Sequence, residues 1–174
     1  NDSITFTTYK TIHGPVVAKR NNNWLSAKTI NENIELLNVH WSITKSKTYK
    51  EFVSWLDKRV MTGTNTIYAD QSGNIAYWHG NFVPIRNNPK LDWSAPVPGN
   101  TSETNWKGAH LLKDIPNYIN PINGFVQNCN STPLYGAGSF DSVMAKKPTY
   151  MFPDGYTPRA VNANRLLRKK KKAI

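Results

Sequence analysis

The segment 66–78 has the sequence TIYADQSGNIAYW, which predicts a β-hairpin. Two short runs rich in β-branched and aromatic residues, 66–70 and 75–78, are typical of strands. Between them lie four residues that favour a tight turn, Gln71, Ser72, Gly73 and Asn74. The sequence therefore predicts an antiparallel strand pair, and we expect a sheet to be built on it.

Further strands are predicted upstream of this hairpin. Residues 3–18 are rich in Thr, Val, Ile and aromatic side chains, and they predict two strands that meet near residues 13–15. A polar turn is predicted at 21–23. Apolar and polar residues alternate over 34–43, which predicts a half-buried strand whose apolar face consists of Leu37, Val39, Trp41 and Ile43.

The apolar period changes at Thr48, where the sequence predicts a helix. Apolar residues recur at intervals of three and four over 48–61, as they do on one face of a helix. Thr48 is the predicted N-cap, Glu51 completes a capping box, and Gly63 ends the helix. A second, basic helix is predicted over 158–172, with a proline at its first position.

The remaining chain contains few regular signals. Residues 81–124 hold most of the prolines and predict a long coil that wraps the body of the protein. A short strand is predicted at 124–129 and a loop at 134–157. Antiparallel strands with separate helices indicate the α+β class, in a single domain that covers residues 1–174.

Composition and charge exclude several classes of protein. Six Trp, eight Tyr and six Phe argue against a disordered chain. No apolar run approaches the roughly 18 residues that a membrane span needs, so we expect no span. The single cysteine, Cys129, cannot form an internal disulfide. The net charge is +11, with a cluster of basic residues at 165–172. Because basic and aromatic residues are not interleaved elsewhere, we expect a solvated helix face there and no nucleic-acid partner.

Five short motifs follow one another along the chain. They are TIHGPV at 11–16, YADQSGNIAY at 68–77, PVPG at 96–99 with NWKG at 105–108, NP at 120–121 with GFVQNCNSTP at 124–133, and Arg159 followed by RLL at 165–167. In this order and spacing they resemble the penicillin acylase family of N-terminal nucleophile hydrolases, which includes penicillin amidases and acyl-homoserine lactone acylases. The resemblance covers residues 7–168 and implies part of an αββα sandwich.

The resemblance implies a chemistry as well as a fold. Members of the family hydrolyse the linear amide between an acyl chain and an amine. Their nucleophile is a new N-terminal residue, exposed when the precursor cuts itself, and its own α-amino group acts as the base. One oxyanion donor is an asparagine amide that aligns with Asn130, with Asn128 as the neighbouring alternative. An orienting arginine aligns with Arg159.

Some family members hold a structural calcium ion, which takes hard oxygen ligands. By the resemblance, one carboxylate ligand aligns with Asp141 and one carbonyl ligand aligns with Trp93, while the other ligands belong to segments outside this chain. A plain loop carboxylate is the alternative for Asp141. No other cofactor is expected.

The family's nucleophile lies upstream of the segment that matches residues 11–16. We therefore expect this chain to be an internal fragment of an acylase β chain, inactive by itself and partnered by the remaining segments of the precursor. Its substrate is then a small acyl amide of the penicillin or acyl-homoserine lactone type. The alternative is a non-catalytic binding or scaffold module of the same fold. Family members are typically exported, so we expect a periplasmic or secreted protein.

Overall fold

The fold is described by a computed structural model that covers residues 3–30, 34–88 and 90–169. Its three helices are α1 (Ile34–Lys45), α2 (Tyr49–Leu56) and α3 (Pro158–Leu167). Its eight strands are β1 (Lys10–Thr11), β2 (Gly14–Arg20), β3 (Asn23–Ser26), β4 (Thr66–Ala69), β5 (Ile75–Trp78), β6 (Pro84–Arg86), β7 (Trp106–Ala109) and β8 (Asn117–Ile119).

All strand pairs in the described residues are antiparallel, and they form three sheets in the orders β1-β2-β3, β4-β5-β8 and β6-β7. The hairpin predicted from residues 66–78 is the β4–β5 pair, in which Tyr68 lies opposite Ala76. Four short 3-10 turns lie in the connections, at 102–104, 133–135, 144–146 and 149–151. Antiparallel sheets with three helices confirm the predicted α+β class.

The core lies between the β4–β5 hairpin and helices α1 and α2. Its buried residues are Val39, Leu56, Met61, Ala76, Trp78, Leu112 and Ile115. Tyr49 and Phe52 of α2 pack against Tyr68 and Trp78 of the hairpin, with ring centroids 4.6–6.5 Å apart. The hairpin thus packs on α2 through its aromatic side chains, and its open end faces the segments described below.

The strand predicted at 34–43 is wrong, because these residues form helix α1. The inward face of α1 follows the helical period through Leu36, Val39 and Ile43, which pack on the core. Leu37 and Trp41 were predicted to share the buried face, yet they are 63% and 66% exposed. The alternation in the sequence coincided with a helical spacing, and burial against α2 decided between the two.

Other element boundaries also differ from the predictions. Thr48 caps α2 as predicted, accepting from Glu51 N at 3.2 Å, but Glu51 accepts from Lys47 N instead of completing the box at Thr48. The helix ends at Leu56, well before Gly63. Residues 3–9 form no strand, and β1 is limited to two residues.

The long connection and the C-terminal helix need corrections of the same kind. The coil predicted over 81–124 contains β6, β7 and β8. Residues 124–129 form no strand, because Gln127 N pairs singly with Gly136 O and no ladder follows. Helix α3 ends at Leu167, and the predicted continuation over 170–172 lies outside the described residues. No described helix has the length and apolarity to cross a bilayer.

Asn81 is a fully buried polar residue that fixes the exit of α2. Its Nδ2 donates to Leu56 O at 2.7 Å, and its Oδ1 accepts from Met61 N at 2.9 Å. The Asn81 side chain therefore pairs the Met61 N–H, which has no other partner among the described residues, and adds a second donor to Leu56 O, which also accepts from Arg59 N at 3.1 Å.

We expect Asn81→Leu to lower the free energy of unfolding by about 1–3 kcal/mol, because it leaves the buried Met61 N–H unpaired while Leu56 O keeps its bond from Arg59 N. Urea unfolding of the purified chain measures this loss. Asn38→Leu, on the exposed side of α1, is the matched control and is expected to change stability by less than about 0.5 kcal/mol. Equal effects of the two substitutions would contradict the assignment.

Candidate functional site

Two irregular segments, 127–133 and 153–158, lie side by side beyond the open end of the hairpin. Thr132 N donates to Gly155 O at 3.0 Å, and Ser131 Oγ donates to the same carbonyl at 3.2 Å. Thr157 N in turn donates to Ser131 Oγ at 3.3 Å. These bonds fasten the segment that carries Asn130 to the start of helix α3.

Local sequence places Arg159 in the first turn of α3. Thr157 is the N-cap, with its side chain accepting from Ala160 N at 3.4 Å, and Pro158 takes the first helical position. From there the Arg159 guanidinium donates from Nη2 to Asn130 Oδ1 at 3.0 Å. The structure thus brings together the two residues that the sequence singled out, 29 positions apart.

Asn130 has a left-handed backbone, with φ of +47°, a conformation that asparagine tolerates better than most residues. Its backbone N–H donates to Asn128 Oδ1 at 3.2 Å, which stabilises the turn. Its side chain is exposed. With Oδ1 taken by Arg159, the outward donor is Nδ2, and no residue in the described ranges accepts a hydrogen bond from it.

Asn128, the alternative to Asn130, is placed differently. It is half-buried, and its Oδ1 accepts from both Asn130 N and Asn65 Nδ2. The side-chain oxygen of Asn128 therefore stabilises the turn, while the side-chain amide of Asn130 faces solvent.

The position of Arg159 is electrostatically unfavourable for the helix. The N-terminal turn of a helix carries partial positive charge and favours acidic residues. The first turn of α3 contains no acidic residue and holds this cation instead. Among the described residues, no carboxylate forms a salt bridge with Arg159, so its contact with Asn130 has no strong competitor.

The residues aligned with calcium ligands already accept hydrogen bonds within this chain. Asp141 Oδ1 accepts from Val143 N at 3.0 Å and Met144 N at 2.8 Å, as a turn-capping carboxylate does. Trp93 O accepts from the Arg86 guanidinium at 3.2 Å, and a cation already occupies that carbonyl. In the part of the chain that is described, no three His, Cys, Asp or Glu side chains cluster. Calcium binding stays a prediction that no contact here supports.

A buried group that the sequence analysis missed lies behind this site. Tyr77 and His79 are 1% and 6% exposed, and the Tyr77 hydroxyl lies 2.7 Å from His79 Nδ1. His79 Nε2 lies 3.9 Å from Asp154 Oδ2, next to the carbonyl that binds residues 131 and 132. The spacing of two residues, which puts Tyr77 and His79 on one face of an extended segment, was the available signal.

Burial lowers the pKa of His79, and the nearby Asp154 opposes this only in part. His79 is consequently neutral at pH 7, and its contact with Asp154 is not a charged pair there. Burial also raises the pKa of Tyr77, which keeps its hydroxyl protonated.

A separate cleft lies away from Asn130 and Arg159. A cleft of about 980 Å³ lies between β1–β3 and the segment 93–106, and neither Asn130 nor Arg159 lines it. His13 closes one side of the cleft, with Nε2 2.7 Å from Gly99 O.

These antiparallel sheets and helices have the fold of a penicillin acylase of the N-terminal nucleophile hydrolase class. A solved structure of thermostable penicillin G acylase from Alcaligenes faecalis, in its orthorhombic form, superposes with a TM-score of 0.64 at 22% identity. The match covers 94% of this chain and 31% of that one, so the chain spans about a third of its length. The family model described as penicillin amidase matches residues 1–174, and the chain belongs to that family.

Because burial lowers the pKa of His79, we expect the free energy of unfolding to fall in acid. A histidine whose pKa is lowered on folding stabilises the protein above its ordinary pKa near 6.5, and this contribution is lost as pH falls through the folded-state value. We expect His79→Gln to reduce the loss of unfolding free energy between pH 7.5 and pH 5, measured by urea titration at each pH. His110, whose pKa burial also lowers, accounts for part of the remaining loss. An unchanged pH dependence in His79→Gln would contradict this prediction.

Proposed function

We propose that this chain is part of an amidohydrolase that cleaves the linear amide between an acyl chain and an amine. In this proposal Asn130 Nδ2 donates a hydrogen bond to the oxyanion, and Arg159 orients the Asn130 side chain. The observation that carries the proposal is the 3.0 Å bond from Arg159 Nη2 to Asn130 Oδ1.

The bond supports this role because it distinguishes the two ends of the amide. Attack on an amide carbonyl produces a tetrahedral oxyanion, which needs preorganised donors. With the carbonyl end of Asn130 held by a cation, the NH₂ end is the outward group, and it needs no change of protonation to donate. A neutral donor that is fixed before the reaction loses little free energy to reorientation.

The nucleophile in this proposal belongs to another segment of the acylase precursor. An N-terminal Ser, Cys or Thr, with its own α-amino group as base, suits a small acyl amide of the penicillin or acyl-homoserine lactone type. The isolated chain then has no amidase activity. Membership of an exported family favours a periplasmic or secreted location as part of the same proposal.

Asn130→Ala tests the donor in the acylase assembled from this chain and its remaining segments. We expect kcat to fall by about 10²–10³-fold, the usual effect of removing one oxyanion donor. Phenylacetyl and long-chain acyl amides are suitable probes. Asn162→Ala, an exposed residue of α3, is the control and keeps wild-type turnover. Wild-type kcat in Asn130→Ala, or turnover by the isolated chain, would refute the proposal.

Arg159→Glu separates function from stability. An acidic residue in the first turn of α3 is expected to raise the free energy of unfolding by about 0.3–1 kcal/mol, whereas turnover by the assembled acylase falls because Oδ1 of Asn130 loses its donor. The matched variant Arg165→Glu, in the last turn of the same helix, is expected to lower stability and spare turnover. If Arg159→Glu lost stability and activity together, a merely structural role would explain it better.

A further inference from the structure

Asn65 links the hairpin to the turn that carries Asn130. It immediately precedes β4, and its Oδ1 accepts from Gly80 N, just beyond β5, at 2.8 Å. The same side chain donates from Nδ2 to Asn128 Oδ1 at 3.3 Å. One half-buried amide therefore closes the open end of the hairpin and reaches the neighbouring segment.

Asn128 connects Asn65 to Asn130 through hydrogen bonds. Its Oδ1 receives Asn65 Nδ2 and the backbone N–H of Asn130 together. The Asn130 N–H bond holds the left-handed turn, with φ of +47°. The three asparagines form one continuous hydrogen-bonded path from the hairpin to the side chain that Arg159 contacts.

We infer that Asn65 is a positioning residue for the amide of Asn130, acting through Asn128. This inference rests on the proposed function. Arg159 fixes the rotation of the Asn130 side chain, while Asn65 and Asn128 fix the backbone from which that side chain starts. Both are needed, because a donor displaced by about 1 Å loses much of its effect on a transition state.

The hydrogen-bond directions allow an atom-specific test. Asn65→Asp keeps the oxygen that accepts from Gly80 N, but it replaces the donor to Asn128 with an oxygen that repels Asn128 Oδ1. Asn128→Asp keeps the oxygen that accepts from Asn65 and Asn130. Each variant adds one negative charge in the same small region, so a general charge effect is common to both.

In the assembled acylase we expect Asn65→Asp to lower kcat by about 10–100-fold, which corresponds to about 1.4–2.7 kcal/mol of transition-state stabilisation, with KM changed less than threefold. We expect Asn128→Asp, which keeps the shared acceptor, to lower kcat clearly less than Asn65→Asp does. Asn128→Leu, which removes the shared acceptor, should resemble Asn65→Asp. Equal losses in the two Asp variants, or full kcat in Asn65→Asp, would overturn the inference.

A second readout does not depend on activity. In ¹⁵N-labelled isolated chain, Asn65→Asp should shift the backbone amide and side-chain NH₂ signals of Asn130 and speed exchange of its backbone N–H, while Asn128→Asp should retain bonded signals and slow exchange. Unaltered Asn130 signals in Asn65→Asp would refute the coupling itself. If the signals respond but Asn130→Ala retains full turnover, the proposed function fails, and with it the role of Asn65 in positioning an oxyanion donor.

Discussion

Irregular backbone that is shielded from water must still find hydrogen-bond partners, and this requirement sets the place of Asn130. The segment 127–133 belongs to no ladder, so its polar groups pair one by one with residues distant in sequence. Gly155 O receives two of these bonds, from Thr132 N and Ser131 Oγ. The segment 153–158, which includes Gly155, leads directly into α3. The same backbone bonds therefore also bring Arg159 to within 3.0 Å of Asn130. The geometry of the site is thus a consequence of backbone pairing.

The surroundings of Arg159 leave its positive charge without a carboxylate partner among the described residues. Arg159 lies where the helix dipole opposes it, and no carboxylate in the described chain neutralises it. Asp154, the acidic residue of the segment 153–158, instead lies 3.9 Å from the buried His79, whose pKa burial lowers. An acidic partner would stabilise Arg159 but would draw the guanidinium from Asn130. Arg159 therefore makes the N-terminus of α3 less stable, while its guanidinium holds the Asn130 side chain in one orientation.

The predictable parts of this protein are those that local chemistry determines. The turn between β4 and β5 carries its own signal in four consecutive residues, and Thr48 begins α2 as its hydroxyl and spacing require. The residues of α1 satisfy both the strand period and the helix period, so the sequence predicts a strand there. Packing on α2 favours the helix, and no local sequence pattern reveals that packing. Asn130 and Arg159 came from a family resemblance, since their contact joins distant segments. Asn65 and His79 gave no motif, because each acts through a partner far along the chain.

The Asn130 side chain is positioned entirely by contacts within the described chain. Asn65 and His79 lie at the two sides of the hairpin's open end, and they face residues 128 and 154 of the two segments whose pairing fixes Asn130. The hairpin itself packs on α2 through edge-on and tilted aromatic contacts. Hydrogen bonds then connect the hairpin to the turn that carries the exposed Asn130 amide. In the proposed function this preorganisation lowers the barrier, because an amide dipole that is already oriented spends little free energy on turning during the reaction.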